Sequence, residues 1–254
     1  MLADLRKEKI RRELAENGIL SVHELTKRLK ISPSTVRRDL IELEEEGEIL
    51  RTRGGARYGQ HTLVLDADGR SRAVRSIEQK ERIGAKAAEM VMDAGCLILD
   101  AGTTTLEVAR QLNPTKSLRV ITDSVEIAFE LRNRENVTVL VTGGILNADA
   151  YNLYGGFAEQ MLQSMHAQVC VMGVIGLTAQ EGLTKHDIEA LPIRQRMVEI
   201  SRQLICVADS SKLGVTGLVS VCPIERVDIL ITDDGIGSDM RKELEEAGVK
   251  IILA

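Results

Sequence analysis

The sequence predicts an α/β chain in two parts. Residues 1–57 read as a winged helix-turn-helix head, 58–76 as a linker, and 77–254 as an α/β domain on a largely parallel sheet. Three observations predict this. Helix caps and a tight turn follow one another near the amino terminus; short Val/Ile/Leu runs alternate with helical stretches from Ile77 onward; and charge is unevenly divided. Residues 1–57 hold 13 Lys/Arg against 11 Asp/Glu, a net of +2, and the remainder holds 20 against 27, a net of −7. A mildly basic head on an acidic body points to the head as the part that meets a polyanion.

The head is justified element by element. "ADLRKEKIRRELAENG" spaces Leu5, Ile10 and Leu14 along one helical face and stops at Gly18. Ser21 with Glu24 three residues on forms a capping box for a short helix ending near Leu29. Ser32 caps again, with Pro33 at the first helical position, for a helix running to about Glu46 and ending at Gly47. "EILRTRGGA" reads as a short hairpin, the wing. The helix-turn-helix falls at about residues 20–39, and its link of about three residues suits that motif.

The second part opens with a helix, "IEQKERIGAKAAEMVM", and a strand-like run, "CLILD". Similar runs recur as "RVIT", "VTVLV", "VCVMG", "LICVA", "ILIT" and "VKIIL". Most are separated by helical stretches such as "TTLEVARQL", "SVEIAFELR", "FAEQMLQSM", "LPIRQRMVEIS" and "MRKELEEAG". Such alternation indicates a parallel sheet covered on both faces.

The third helix holds adjacent arginines in "STVRRDL". With Val36 set at 0° and about 100° per residue, Leu40 and Leu43 fall within about 40° of it and form the buried stripe. Arg38 falls near 200°, Ser34 near 160° and Thr35 near 260°, all at roughly 100° per residue, so these three project away from the core. That end of a recognition helix faces base edges in the major groove. Arg38 has the fork for guanine O6 and N7, Ser34 and Thr35 suit phosphates or bases, and Arg37 on the flank suits a backbone phosphate. Arg51 and Arg53 in the wing could reach an adjacent backbone or minor groove. Asp39 reads as structural, holding Arg37 or an arginine of the first helix; the bland alternative pairs these arginines with Glu42 or Asp39.

Composition sets limits on function. Hydrophobic content of 44% with 28% charged residues is ordinary for a globular chain, and 2% aromatics without Trp argues against base-stacking recognition. The four cysteines, Cys96, Cys170, Cys206 and Cys222, form no CxxC pair and read as reduced, buried thiols. Met1 leads into a charged helix and no apolar run approaches membrane-spanning length, so a cytoplasmic chain with no membrane association is expected.

In "LDAGTTTLEVA" a strand ends at Asp100, the chain turns through Ala101 and Gly102, and Thr103, Thr104 and Thr105 open a helix. Bare amides at a helix N-terminus, backed by its dipole, suit a phosphate. Other loops at strand ends offer Thr122, Asp123 and Ser124; Gly143 and Gly144; Gly173, Gly176 and Thr184; and Asp209 with Lys212. Ligands of open α/β sheets bind where such loops gather.

"LTKRLKISPSTVRRDLIELEEEGEILRTRGGA" resembles the DNA-binding head of the DeoR family of bacterial transcriptional regulators. The resemblance continues through "RAVRSIEQK", "DAGTTT", "GGI", "YGGFAEQML", "GLT", "EALPIRQRMVEIS" and "ADSSKLG", which follow that family's C-terminal sensor domain in order. It implies an operator-binding repressor of a carbohydrate operon, with a phosphorylated sugar as effector. It also implies a sensor fold similar to ribose-5-phosphate isomerase and the CoA transferases. Lys80, Asp100, Gly102, Thr103, Thr104 and Lys212 are then effector-site residues, with Arg72 and Glu189 beside them. A homodimer or homotetramer is expected, because one head buries too little surface for tight specific binding. Where the family commonly has Thr-Asn-Ser, this chain has Thr122-Asp123-Ser124, so either Asp123 faces ligand hydroxyls or the ligand differs. The family's Gly-Ala-Asn/Asp-Gly-Ile loop is altered here to "GVIGL".

The competing class is an isomerase-like enzyme using Glu189 as base and Lys212 as electrophile. The sequence shows no base poised beside a nucleophile and no metal-ligand cluster, and His23, His61, His166 and His186 are scattered. No catalytic residue, metal or cofactor is therefore assigned.

Overall fold

The computed structural model describes residues 3–17, 19–45, 49–52, 55–58, 76–148 and 150–254. The chain divides into two units, Met1–Thr62 and Leu63–Ala254.

In the first unit α1 (Ala3–Asn17) is followed by a three-residue strand β1 (Ile19–Ser21) that the sequence reading lacks, then α2 (Val22–Leu29) and α3 (Pro33–Glu45). The capping box of α2 is closed: Ser21 Oγ accepts from the Glu24 amide at 3.1 Å, and the Glu24 carboxylate accepts from the Ser21 amide at 2.8 Å. Ser32 Oγ accepts from the Thr35 amide at 3.2 Å, as expected of the α3 cap. Lys30 takes the left-handed conformation (φ 54°) that reverses the chain between the two helices. The wing is β2 (Ile49–Thr52) against β3 (Gly55–Tyr58), and β1 pairs with the other side of β3. A Cβ at Gly55 would sit 2.2 Å from the Leu20 carbonyl oxygen, so only glycine lets the wing close on β1. β3 ends at Tyr58. Residues 59–75, nearly all of the expected linker, lie outside the described residues.

Ile10 and Leu14 of α1, Leu25 of α2 and Val36, Leu40 and Leu43 of α3 form the small core of this unit, with Ile49 and Ala56 from the wing closing it. Burying each such aliphatic side chain contributes about 1.5–3 kcal/mol.

In the second unit the seven apolar runs become seven strands: β4 (Cys96–Leu99), β5 (Leu118–Thr122), β6 (Val137–Val141), β9 (Ala167–Gly173), β12 (Ser201–Val207), β14 (Ile229–Thr232) and β15 (Lys250–Leu253). They make one sheet in the order β15-β14-β12-β9-β4-β5-β6, with every neighbouring pair parallel. Side chains alternate between the two faces. Leu97, Leu99, Val171, Ile205 and Val207 pack with α4 (Ile77–Val91), α5 (Thr103–Gln111) and α6 (Val125–Leu131). Ile98, Cys170, Met172, Leu204 and Cys206 pack on the opposite face with α7 (Gly156–Leu162), α8 (Leu191–Glu199) and α9 (Ser238–Glu246). The cysteines are all free thiols, with Cys170, Cys206 and Cys222 buried.

Two further elements interrupt the alternation. β7 (Ile145–Asn147) and β8 (Asn152–Tyr154) form an antiparallel ribbon, which the Leu153 amide ties to the Asp123 carbonyl just past β5 at 2.8 Å. β10 (Gly176–Thr178), β11 (Gly182–Lys185) and β13 (Val219–Cys222) form an antiparallel sheet. Among the described residues no helix is long and apolar enough to cross a membrane.

The strand order reverses direction between β4 and β9. That is the topological switch point, outside whose carboxyl ends ligands of open α/β sheets bind.

Candidate functional site

On α3 the projected stripe is buried and the projected outer face is open: Ser34, Arg37 and Arg38 are exposed and Thr35 is half-buried. The neighbouring carboxylates are engaged elsewhere. Asp39, 1% exposed, accepts from Arg6 of α1 through both oxygens, one bond being 2.8 Å, and Glu42 pairs with Lys7 at 2.8 Å. The choice left open for Asp39 thus falls on the first-helix arginine. Arg37 and Arg38 make no hydrogen bond or ion pair among the described residues, so the bland pairing with Asp39 or Glu42 does not form. Ser32 Oγ joins the hydroxyls of Ser34 at 2.9 Å and Thr35 at 2.7 Å. Arg51 lies in β2, and Arg53 lies outside the described residues.

In the second unit the structure gathers a polar cluster at the switch point. Asp100, fully buried just past β4, accepts from the Gly173 amide at the end of β9 at 2.9 Å. Its second oxygen accepts from Lys185 Nζ at 2.6 Å. Burial pushes the Lys185 ammonium down from its ordinary pKa, and the adjacent Asp100 carboxylate opposes that shift. One carboxylate thereby ties β4, β9 and β11 together.

Beyond Asp100 the chain turns into α5 as read from the sequence. The first-turn amides of Thr103, Thr104 and Thr105 have no intrahelical acceptor of their own. Thr105 Oγ1 donates to the Gly102 carbonyl at 2.9 Å, which fixes the turn. Gly102 itself is extended (φ 175°), so its backbone does not demand glycine; a Cβ there would stand 3.0 Å from Thr105 Oγ1. Thr103 is half-buried, and Thr104 and Thr105 are buried.

Asp123, fully buried past β5, accepts from the Ala101 amide at 2.8 Å and so holds the same turn from the neighbouring strand. Its other oxygen has no partner among the described residues. Burial raises its pKa to about 6, with Arg194 opposing the shift and Asp100 adding to it. Thr122 Oγ1 accepts from the Ser124 amide at 3.0 Å, and Ser124 Oγ caps α6 through the Ile127 amide at 3.2 Å.

Arg194 of α8, 3% exposed, donates to Asp187 at 3.2 Å, and Asn152 of β8 donates to the same carboxylate at 3.1 Å. Arg194 Nε and Asn152 Oδ1 are buried without partners among the described residues. Asp123 Oδ2 is a third, and its carboxylate lies within electrostatic reach of Arg194. The sequence reading missed Lys185, Asp187, Arg194 and Asn152. The mixed charges in "KHDIE", which opens on the last residue of β11, were the available signal for Lys185 and Asp187.

The remaining expected residues lie as follows. Lys80 is buried on α4. Gly143 and Gly144 form the exposed turn between β6 and β7. A Cβ at Gly176 would lie 2.0 Å from the Val215 carbonyl oxygen, so close backbone approach accounts for that glycine. Lys212 is half-buried in a 3-10 turn (Ser210–Lys212) whose start Asp209 caps through the Ser211 amide at 3.1 Å. Glu189 is exposed, and no hydrogen bond or ion pair joins it to Lys212 among the described residues. Arg72 lies outside the described residues. His23 and His166 are exposed, His186 is half-buried beside Leu218, and His61 lies outside the described residues. Among the described residues no group of three or more His, Cys, Asp or Glu could hold a metal.

The comparisons with known proteins cover both units. A solved ribose 5-phosphate isomerase A from Methanocaldococcus jannaschii aligns over 54% of this chain and 54% of that one, at 15% identity and a TM-score of 0.39. The HTH-type transcriptional regulator GolR of Listeria innocua serovar 6a is 34% identical over 98% of both chains. The HTH-type transcriptional repressor GlcR of Bacillus subtilis (strain 168) is 32% identical over 94% of this chain and 92% of its own. The family models for a DeoR-like helix-turn-helix domain and a DeoR C terminal sensor domain match residues 6–62 and 75–234. With both units matched and relatives of this identity spanning nearly its whole length, the chain belongs to the DeoR family of transcriptional regulators.

Proposed function

We propose that this chain represses a carbohydrate operon by binding its operator as a homo-oligomer, and that a phosphorylated sugar bound in the second unit shifts the population away from the DNA-binding arrangement. The observation that carries the DNA half is the pairing pattern around α3. Asp39 and Glu42 are engaged by α1, which leaves Arg37 and Arg38 exposed and without an ion pair among the described residues. Arg38 reads guanine edges, Arg37 and the hydroxyls of Ser34 and Thr35 hold phosphates, and Arg51 and Arg53 of the wing extend the contact.

The effector half is supported by the position of the Gly102–Thr105 turn at the switch point, where amides and a helix dipole favour a phosphate. The unpartnered atoms of Asp123, Asn152 and Arg194 then suit hydroxyls of the same ligand, since a hydroxyl both donates and accepts. Lys212, Lys80, Arg72, Thr122, Ser124, Gly143, Gly144, Gly176 and Glu189 complete the candidate set. The proposed repressor and carbohydrate roles accord with relatives named as repressors, among them a putative aga operon transcriptional repressor of Escherichia coli O157:H7 at 31% identity.

Retardation of a fragment from the chain's own promoter region at low salt tests the DNA half. A thermal-shift screen with phosphorylated sugars tests the other, because ligand at a hundred times its dissociation constant adds roughly 2.7 kcal/mol of stability. Failure to retard any promoter fragment, with the oligomer intact, ends the repressor reading.

A further inference from the structure

We infer that the β6 edge of the second unit, together with α6, the β7–β8 ribbon and α7, is the face on which a second copy of this chain docks. The inference deepens the proposed homo-oligomer by naming its surface. Six large apolar side chains stand in solvent here: Phe157 at 80% exposed, Phe129 at 65%, Ile145 at 60% and Leu146 at 52%, with Val125 and Val141 near 40%. They belong to elements that follow one another along the chain, with α6 and α7 over opposite faces of the sheet. Val125 and Phe129 lie four residues apart, on one side of α6. The Val125 amide donates to the Tyr151 carbonyl at 3.0 Å, and the Leu153 amide donates to the Asp123 carbonyl at 2.8 Å, which anchors the ribbon beside α6. Ile145 lies over Gly155, whose Cβ would be 3.7 Å from Ile145 Cδ1, and Phe157 follows two residues on. Val141 ends β6 at the turn that leads into the ribbon.

The area fits a dimer. At roughly 150–250 Å² for each whole aromatic side chain, the six together expose on the order of 500 Å² of apolar surface. That is at the upper end for a monomer, where the largest patch is about 300–600 Å². It is also about 60% of the ~800 Å² that one partner contributes to a standard interface, which is the usual apolar share.

The edge itself points to an identical partner. β6, "VTVLV", pairs with β5 on one side and with no described strand on the other. It carries no charge, proline or bulge of the kind that guards a free edge. The opposite edge strand, β15, does carry an exposed Lys250. Two copies of β6 related by a two-fold axis can pair antiparallel, and the same rotation lays each apolar patch on its mate. The nearby charges do not call for a polyanion or a basic partner: Glu130 is shared by Arg110 at 3.9 Å and Arg134 at 3.7 Å, and Arg132 stacks on the Phe129 ring at 3.7 Å.

The test is the mass of the full-length chain in solution, by sedimentation or light scattering, at tens of micromolar. Wild type is expected to be at least a dimer. Phe157→Glu and Ile145→Glu are each expected to lower the mass to that of a monomer, with far-UV circular dichroism unchanged because both side chains stand in solvent in the single chain. Met90→Glu, at an exposed apolar position elsewhere, is expected to leave the oligomer intact. A monomeric wild type overturns the inference, and so do Phe157→Glu and Ile145→Glu chains that keep the wild-type mass. Effector binding is scored separately by thermal shift. A chain that ignores every sugar phosphate yet loses its oligomer on Phe157→Glu sinks the sensor reading and supports this one.

Discussion

Asp100 and Lys185 meet at 2.6 Å with the lysine side chain 8% exposed and the aspartate fully buried. A pair taken this far out of water is costly to form and more costly to break, because the survivor is a bare charge in a low-dielectric site. Lys185→Met is therefore expected to destabilise the second unit by about 3–5 kcal/mol. Asn at position 100 can still accept from the Gly173 amide, so adding Asp100→Asn to Lys185→Met should recover more than half of that loss. Urea midpoints of the two single variants and the double variant check this; equal losses in Lys185→Met and the double variant would contradict it.

Asp123 gives the fold a pH dependence of definite sign. Its pKa is raised from 3.8 to about 6, so between those values the folded chain holds a proton that the unfolded chain has released. Stability therefore falls as pH rises through that window, and the penalty is complete above about pH 6. Asp123→Asn should raise stability at pH 7.5 by on the order of 2 kcal/mol. The gain should vanish near pH 4. Denaturation curves at the two pH values decide it.

The two arginines of α3 should differ in what they do for DNA. Arg38→Ala is expected to cost about 1–3 kcal/mol on the specific operator and to relax sequence preference. Arg37→Ala should weaken specific and non-specific binding alike and reduce the salt slope by about one. Binding titrations at several salt concentrations, on operator and scrambled duplexes, separate the two; indistinguishable profiles would remove their separate assignments.

Lys212 lies clear of the buried pairs, so its loss should spare folding. Lys212→Ala is expected to bind operator normally without effector and to respond more weakly to the sugar phosphate found in the screen. A full response in a titrated release assay would take Lys212 out of the site.

Much of this fold was legible because each level of the sequence agreed with the next. The seven runs were readable as strands because a parallel strand buried on both faces must be apolar almost throughout. The head was readable because Ser21, Glu24, Ser32 and Pro33 mark helix starts chemically. The three-residue strands β1, β7, β8 and β10 carry too few side chains to show a period. Of the site, the Asp100–Thr105 turn was visible as a local pattern. Lys185 was not, since its partner lies 85 residues earlier and only the meeting of β4 with β11 brings them together. Asp39 lay on the wheel between core and surface, which marked it as structural, while the choice of Arg6 required the packing of α1 on α3.

The Ser32 hydroxyl, bonded at once to Ser34 and Thr35, has a consequence for how fast the head can commit to a surface. Those two hydroxyls are held before any anion arrives, so their rotor entropy has already been lost in folding. A docking phosphate exchanges neutral bonds for charge-assisted ones at nearly fixed positions. The leading turn of α3 can thus engage a backbone without a search among side-chain rotamers.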